Sequence, residues 1–372
     1  MKDSPRVVLL ALDGLPSSAL KPSITPNLWQ LGREGGIRPE GGRSSLPSTT
    51  YPGFASLLTG ATPARTGIRT TSRRDGAVPG WAGADVTLVP TIVHAAADAG
   101  LAAGVVMGDH KLQRVLRLTD ISGAWPPRGE VPQDAALDSH GYPTNAALRD
   151  RVVQAALDPD LDLLFVHLNE TDTLAHDLGP QARETITAVR EADAIVGEVM
   201  EALRPDWDRA ILAVTSDHDM TARLPLPAID PTASPDCAGL VDDWITDGCA
   251  AWVRIAPGAD AHLAVRCLSN LEGVEAWRWR KPNIMLLLAE QGRTFESPWI
   301  PRAGVHGSLC TARTLAIVGG GHPAVPSIAM SIAVRAPRIQ DWAPTLAAVL
   351  GIELPDADGF DMLSATELRQ AM

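Results

Sequence analysis

The chain has 372 residues, 45% apolar and 20% charged, the composition of a folded globular protein and not of a disordered or collagen-like one. Against 32 Lys and Arg stand 44 Asp and Glu, a formal net charge of −12 that repels nucleic acid polymers and anionic membrane surfaces. At roughly 150 residues per domain, this length implies two domains or one large α/β domain with an insertion. Cys237, Cys249, Cys267 and Cys310 are widely spaced and form no CxxC pair, so neither a disulfide framework nor a thiolate zinc knuckle is indicated. The apolar run at residues 7–12 is shorter than the ~7–15 residues of a signal-peptide core, and no stretch reaches the ~18 apolar residues of a membrane span. A cytoplasmic protein without a membrane partner is expected.

Short β-branched and Leu-rich runs alternate with helical patterns. In chain order the spacing predicts a strand over 7–12, a helix over 26–34 with Thr25 as N-cap, a helix over 90–99 and a strand over 103–107. A helix over 144–157, a strand over 161–168, a helix over 181–203 and a strand over 210–215 follow. From 219 to 305 the rhythm breaks, with Pro225, Pro227, Pro231 and Pro235 and several Trp residues, and this stretch reads as an inserted cap. Its apolar patches are 251–255, a helix-like 261–271 and 284–289. A strand over 314–318 and a helix over 342–350 then resume the first pattern. The expected fold class is α/β, an open, mostly parallel sheet with helices on both faces. Its core comprises residues 1–218 and 306–372, and the cap residues 219–305.

Open α/β sheets bind ligands beyond the carboxyl ends of their strands. The first predicted strand ends in Asp13-Gly14, the third leads to Asn169-Glu170-Thr171-Asp172 and then His176, and the fourth ends in Ser216-Asp217-His218. One such Asp is ordinarily a turn or helix cap. Three carboxylates crowded at one sheet edge would repel each other unless a cation relieved them, and carboxylate with imidazole suits zinc and similar divalent ions. A hydroxyl cluster, Ser48-Thr49-Thr50, opens an apolar run that closes at Gly60 like a helix with a glycine C-cap. A Thr at that start is either an N-cap or a nucleophile whose alkoxide the helix N-terminus stabilises.

Five motifs occur in order: Asp13-Gly14; Pro47-Ser48-x-Thr50-x-Pro52 closing in Leu57-Leu58-Thr59-Gly60; Asp172-x-x-x-His176-x-x-Gly179-Pro180; Thr215-Ser216-Asp217-His218; and Val305-His306-Gly307. Together they resemble the type I phosphodiesterase/nucleotide pyrophosphatase branch of the alkaline phosphatase superfamily. The resemblance implies an alkaline-phosphatase-like fold and two divalent ions, with zinc the expected metal. Asp13, Asp217 and His218 would hold one ion together with the nucleophile Thr50, and Asp172, His176 and His306 the other. It also implies hydrolysis of phosphodiester or pyrophosphate bonds in two steps, through a phosphothreonine that a metal-bound water releases. Two divalent ions outweigh three carboxylates, leaving a locally cationic site for a small anionic phosphoester.

Two segments depart from the pattern. Relatives often carry an Asn that donates to a phosphate oxygen where this chain has Thr71, and the loop around it is basic, so Arg69 is a further candidate for phosphate contact. Asp109-His110-Lys111-Leu112-Gln113-Arg114 is similar to the lysine-bearing substrate loop of phosphonoacetate hydrolases, although the first lysine falls at Asp109. Lys111, with Arg114, would then bind a carboxylate or the extra charge of a monoester, which keeps phosphomonoester or phosphonate hydrolysis as the alternative. His94, His110, His140 and His167 carry little functional weight, and Trp244, Trp252, Trp277, Trp279 and Trp299 read as packing.

Overall fold

The computed structural model describes residues 4–280, 282–297 and 299–364, so residues 1–3 and 365–372 of the expected core lie outside the described residues. In chain order the strands before the cap are β1 Arg6–Leu12, β2 Gly36–Ile37, β3 Gly42–Arg43, β4 Ala103–Met107, β5 Ala124–Trp125, β6 Leu163–Leu168 and β7 Ala210–Thr215. Strands β8 Thr221–Ala222 to β13 Gly304–Val305 include β9 Val241–Asp247, β10 Ala250–Ile255, β11 Val274–Arg280 and β12 Ile284–Ala289. Last come β14 Arg313–Thr314 and β15 Ala316–Gly319. The helices are α1 Pro26–Glu34, α2 Thr50–Thr59, α3 Pro63–Thr66, α4 Ile92–Asp98, α5 His110–Val115 and α6 Asn145–Leu157. They continue with α7 Glu170–Leu178, α8 Arg183–Ala202, α9 Ala261–Ser269, α10 Val325–Val334 and α11 Trp342–Leu350.

Seven strands form the central sheet in the order β2-β15-β7-β1-β6-β4-β5. Strand β1 lies between β6 and β7, parallel to both, and is buried along its whole length. Its side chains divide by parity, as a period of two requires. Val7, Leu9 and Ala11 join Phe165 and Ile211 in a core under Phe54 and Trp342, and Val8, Leu10 and Leu12 join Val166 and Leu212 in a second core under Leu28, Val152 and Val196. The expected mostly parallel α/β sheet with helices on both faces is therefore the architecture found. The last strand departs from it, since β15 runs antiparallel to both β7 and β2.

Thr25 does not cap α1. Its hydroxyl donates to the Ala19 carbonyl at 3.0 Å, and the helix start is held by buried Asp193 of α8, which accepts from the Asn27 and Leu28 amides at 3.1 and 2.8 Å. A tertiary carboxylate has replaced the local cap because α8 packs across that end.

Between β7 and β15 the chain leaves the central sheet and makes a four-stranded antiparallel sheet, β11-β12-β10-β9. Along β10, Ala251, Val253 and Ile255 face Ala264 and Leu268 of α9, while Ala250 and Trp252 face Val78 and Ala82 of the first segment. Strands β8 and β13 pair at the neck, with Val305 opposite Thr221, which returns the chain beside the end of β7.

Candidate active site

Strand ends and helix starts deliver the site. Asp13 follows β1, Asp217 and His218 follow β7, and all three are buried, with donor atoms within 4.8 Å of one another. Asp172 and His176 stand one turn apart on α7, and His306 follows β13; their donor atoms meet the same limit. Thr50 is the first residue of α2, and its hydroxyl lies 3.3 Å from His218 Nε2. Close backbone approach holds these loops together. Gly14 adopts φ +60° and donates its amide to Asp217 Oδ1 at 3.2 Å, and a Cβ there would sit 2.8 Å from Asp172 Oδ1.

The hydrogen-bond network assigns the histidine tautomers. His176 Nδ1 donates to the Gly304 carbonyl at 2.9 Å, His306 Nδ1 to the Ser48 carbonyl at 3.1 Å, and His218 Nδ1 to the Asp219 carbonyl at 3.2 Å. Each ring then turns an unprotonated Nε2 into the site, and the Nε2 atoms of His176 and His306 are only 3.0 Å apart. Two lone pairs cannot satisfy each other; a cation between them can. The carboxylates pose the same problem, since buried Asp13 Oδ1, Asp172 Oδ1 and Asp217 Oδ2 have no hydrogen-bond partner. Burial first, then the neighbouring carboxylates, push Asp13 and Asp217 far above the usual Asp range. Burial pulls His176 and His306 down to about 3. Orphaned oxygens and inward-facing imine nitrogens in two triads are a donor chemistry that fits divalent ions.

His167 contributes more than its sequence context indicated. It sits on β6 opposite Ala11, wholly buried, and its Nε2 donates to Asp13 Oδ2 at 3.0 Å while its Nδ1 accepts from the Asp109 amide at 3.4 Å. Burial holds it at about 4, so the neutral ring orients Asp13 without adding charge. A lone His inside an otherwise apolar strand, one residue before the strand end, was the available signal.

A cavity of about 270 Å³ opens over both triads. Thr71 lines it, accepting from the Tyr51 amide at 3.2 Å, which leaves its hydroxyl proton for a ligand. Lys111 and Arg69 are not among the lining residues. Asp109 caps α5 by accepting from the Lys111 and Leu112 amides, and the Lys111 ammonium rests at 4.8 Å over the ring of Tyr142, itself a lining residue. The Arg69 carbonyl accepts from Trp252 Nε1, and its side chain opens into a separate groove. The cationic lining residue is instead Arg302, which faces Glu296 at 3.5 Å and reaches His176 at 3.3 Å. With Asp247 it comes from the chain between β8 and β13, and neither carries a motif that sequence reasoning could have used. Asp247 accepts from the Thr49 hydroxyl and the Thr71 amide, each at 3.0 Å, and so holds both loops that flank Thr50. Trp244, Trp252, Trp277, Trp279 and Trp299 are absent from the lining.

A doubly wound α/β sheet bearing two carboxylate–imidazole triads beside a helix-start Thr is the class of an alkaline-phosphatase-like hydrolase. The type I phosphodiesterase / nucleotide pyrophosphatase family matches residues 7–266, and the chain belongs to it. Mouse ectonucleotide pyrophosphatase/phosphodiesterase family member 7 is 30% identical over 87 residues, 22% of this chain and 20% of that protein. An uncharacterized pyrophosphatase/phosphodiesterase of Schizosaccharomyces pombe is 26% identical over 232 residues, 58% of this chain and 44% of that protein. The chain thus spans less than half the length of these relatives. Murine ectonucleotide pyrophosphatase/phosphodiesterase 5 has a similar structure, with TM-score 0.69 at 16% identity over 95% of this chain and 97% of that one. Phosphonoacetate hydrolase from Sinorhizobium meliloti, in complex with phosphonoacetate, gives 0.65 at 20% identity over 84% and 90%. At these identities the likeness is one of fold.

Proposed function

We propose that this protein is a zinc-dependent hydrolase of phosphodiester or pyrophosphate bonds that works through a phosphothreonine on Thr50. Family membership and the two donor triads support the reading. Asp13, Asp217, His218 and Thr50 would hold one ion, and Asp172, His176 and His306 the other. When bound, the ions would supply Lewis-acid charge that makes the Thr50 hydroxyl acidic and offsets the charge on the phosphoryl oxygens. Thr50 Oγ1 attacks phosphorus and displaces the leaving alcohol or phosphate; water then cleaves the Thr50–phosphate ester and regenerates the hydroxyl. The N-terminus of α2 faces the developing charge, Thr71 donates to a phosphoryl oxygen, and Asp247 keeps both segments in register.

The observation that favours a diester is the charge of the cavity wall. Beyond the triads it carries Asp109, Asp247 and Glu296 but a single cation, Arg302, itself facing Glu296. A dianionic monoester needs further cations to offset its extra charge, and among the described residues Arg302 is the one Lys or Arg in the lining. AMP is the ligand of an inactive variant of murine ectonucleotide pyrophosphatase/phosphodiesterase 5, and a nucleotide diester is the first substrate to test here. A nitrophenyl phosphodiester is expected to turn over faster than the matching monoester, with activity lost on chelation and restored by zinc. Thr50→Ala is expected to lose at least about a thousandfold in turnover. Full chelator-sensitive turnover by Thr50→Ala would refute the covalent step, and monoester preference would refute the diester assignment.

A further inference from the structure

On the far side of the Thr50 loop a groove of about 640 Å³ follows the seam between the central sheet's loops and the cap sheet. It shares no lining residue with the catalytic cavity. Four arginines enter it: Arg43 from β3, Arg69 from the loop that carries Thr71, Arg280 from the end of β11, and Arg338 before α11. Among the described residues no carboxylate lines it. Arg338 pairs with buried Asp341 at 2.9 Å, an aspartate that Arg335 also approaches, at 3.4 Å. Among the described residues Arg43, Arg69 and Arg280 have no ion-pair partner, in a protein of net charge −12 with carboxylates to spare.

A second observation comes from Ser44 and Ser45, which line the same groove. Both hydroxyl oxygens are buried without a hydrogen-bond partner, and Ser45 is only 8% exposed. Buried hydroxyls are ordinarily paired, and like-charged guanidiniums converge only where an anion offsets their repulsion. Burial, and then the nearby Arg278 and Arg69, hold the Arg280 guanidinium below its ordinary value. Guanidinium forks match phosphate oxygens two by two, and hydroxyls complete such a shell. The volume exceeds what one phosphate fills, and Leu46, Pro63 and Ala64 add an apolar wall.

We propose that this seam is a binding site, separate from the catalytic cavity, for a small molecule bearing several phosphate groups, held by Arg43, Arg69, Arg280, Ser44 and Ser45. The occupant joins the two halves of the molecule, because Arg280 belongs to the cap sheet while Arg43 and Ser45 lie on the segment that leads into Thr50. Arg69 leads likewise into Thr71. Binding therefore stiffens both segments that frame the nucleophile.

The test uses zinc-loaded protein at constant ionic strength and naphthalenetrisulfonate, a polyanion that contains no scissile phosphoester, followed by Tm shift and tryptophan fluorescence. Saturable binding is expected in the unaltered protein and in Thr50→Ala. Arg69→Gln with Arg280→Gln is expected to weaken it by about tenfold per guanidinium removed, or 1.4 kcal/mol each. Arg33→Gln with Arg266→Gln, which removes equal charge elsewhere, is expected to leave it unchanged. In the Thr50→Ala background pyrophosphate is expected to displace the probe. No binding, equal binding by the two arginine pairs, failure of pyrophosphate to compete, or loss in Thr50→Ala alone would each overturn the proposal. All these readouts are independent of catalysis, so they stand apart from the proposed activity.

Discussion

His176, His218 and His306 each spend Nδ1 on a backbone carbonyl, so the protein has chosen the nitrogen offered to a ligand before any ligand arrives. His167, within strand β6, orients Asp13 by donating to it from Nε2. His167→Leu removes that donor while keeping an apolar side chain in an apolar strand, and should weaken metal retention at the Asp13 triad by roughly 10–100-fold. Chelator competition against the unaltered protein measures this, and unchanged retention would make His167 merely a core residue. Asp247 carries the pH prediction. Burial raises it to about 6 from an ordinary 3.8, so between these values the folded chain holds a proton that the unfolded chain has released. The stability this provides is present below about 3.8 and lost as pH rises through about 6. Asp247→Asn keeps an acceptor for Thr49 and Thr71 without the charge. In metal-free protein it should raise stability at pH 8 by up to about 3 kcal/mol, with about half that gain at pH 5. Urea unfolding at the two pH values reads the difference, and an equal gain at both would exclude ionisation as its cause.

Helix α7 and strand β13 show how elements carry the chemistry. The i, i+4 spacing of Asp172 and His176 puts both on one face, and β13 passes so close to α7 that a Cβ on Gly304 would lie 2.2 Å from the Ala175 carbonyl oxygen. That proximity lets Gly304 accept from His176. Gly304→Ala must push the strand away, costing ~1–3 kcal/mol in overpacking and releasing both His176 and His306 from their geometry. Turnover is expected to fall more steeply than Tm, and the Asp172 triad should lose its ion before the Asp13 triad. Equal metal content in both triads would contradict this. At this scale the sequence was legible wherever apolar periodicity was strong. Strands β1, β4, β6 and β7 and helices α1, α6, α8 and α11 fall within two residues of their expected bounds. Two-residue strands such as β2 and β5 carry no period, and the direction of β15 depends on its pairing with β7. Thr25 failed as a cap because a carboxylate more than a hundred residues away took its place.

For the molecule as a whole, an acidic chain concentrates three carboxylates and three neutral imidazoles at one sheet edge, and the order of β7, β1 and β6 is what brings them there. Without cations these groups destabilise the fold that assembles them. Metal removal should therefore lower Tm by several degrees, since free zinc at a hundred times Kd stabilises by about 2.7 kcal/mol per site. A Tm indifferent to chelation would mean that the triads hold no metal. The sequence by itself determined the α/β class, the strand ends that bear Asp13, Asp217 and His218, and the α7 spacing of Asp172 and His176, because these are set by local periodicity and short-range geometry. Only the tertiary structure decided the rest. Arg302 and Asp247 enter the cavity, Lys111 and Arg69 stand outside its lining, His167 turns from filler to support, and unpaired arginines converge on the seam, because side chains from distant segments acquire common surroundings only when the chain closes on itself.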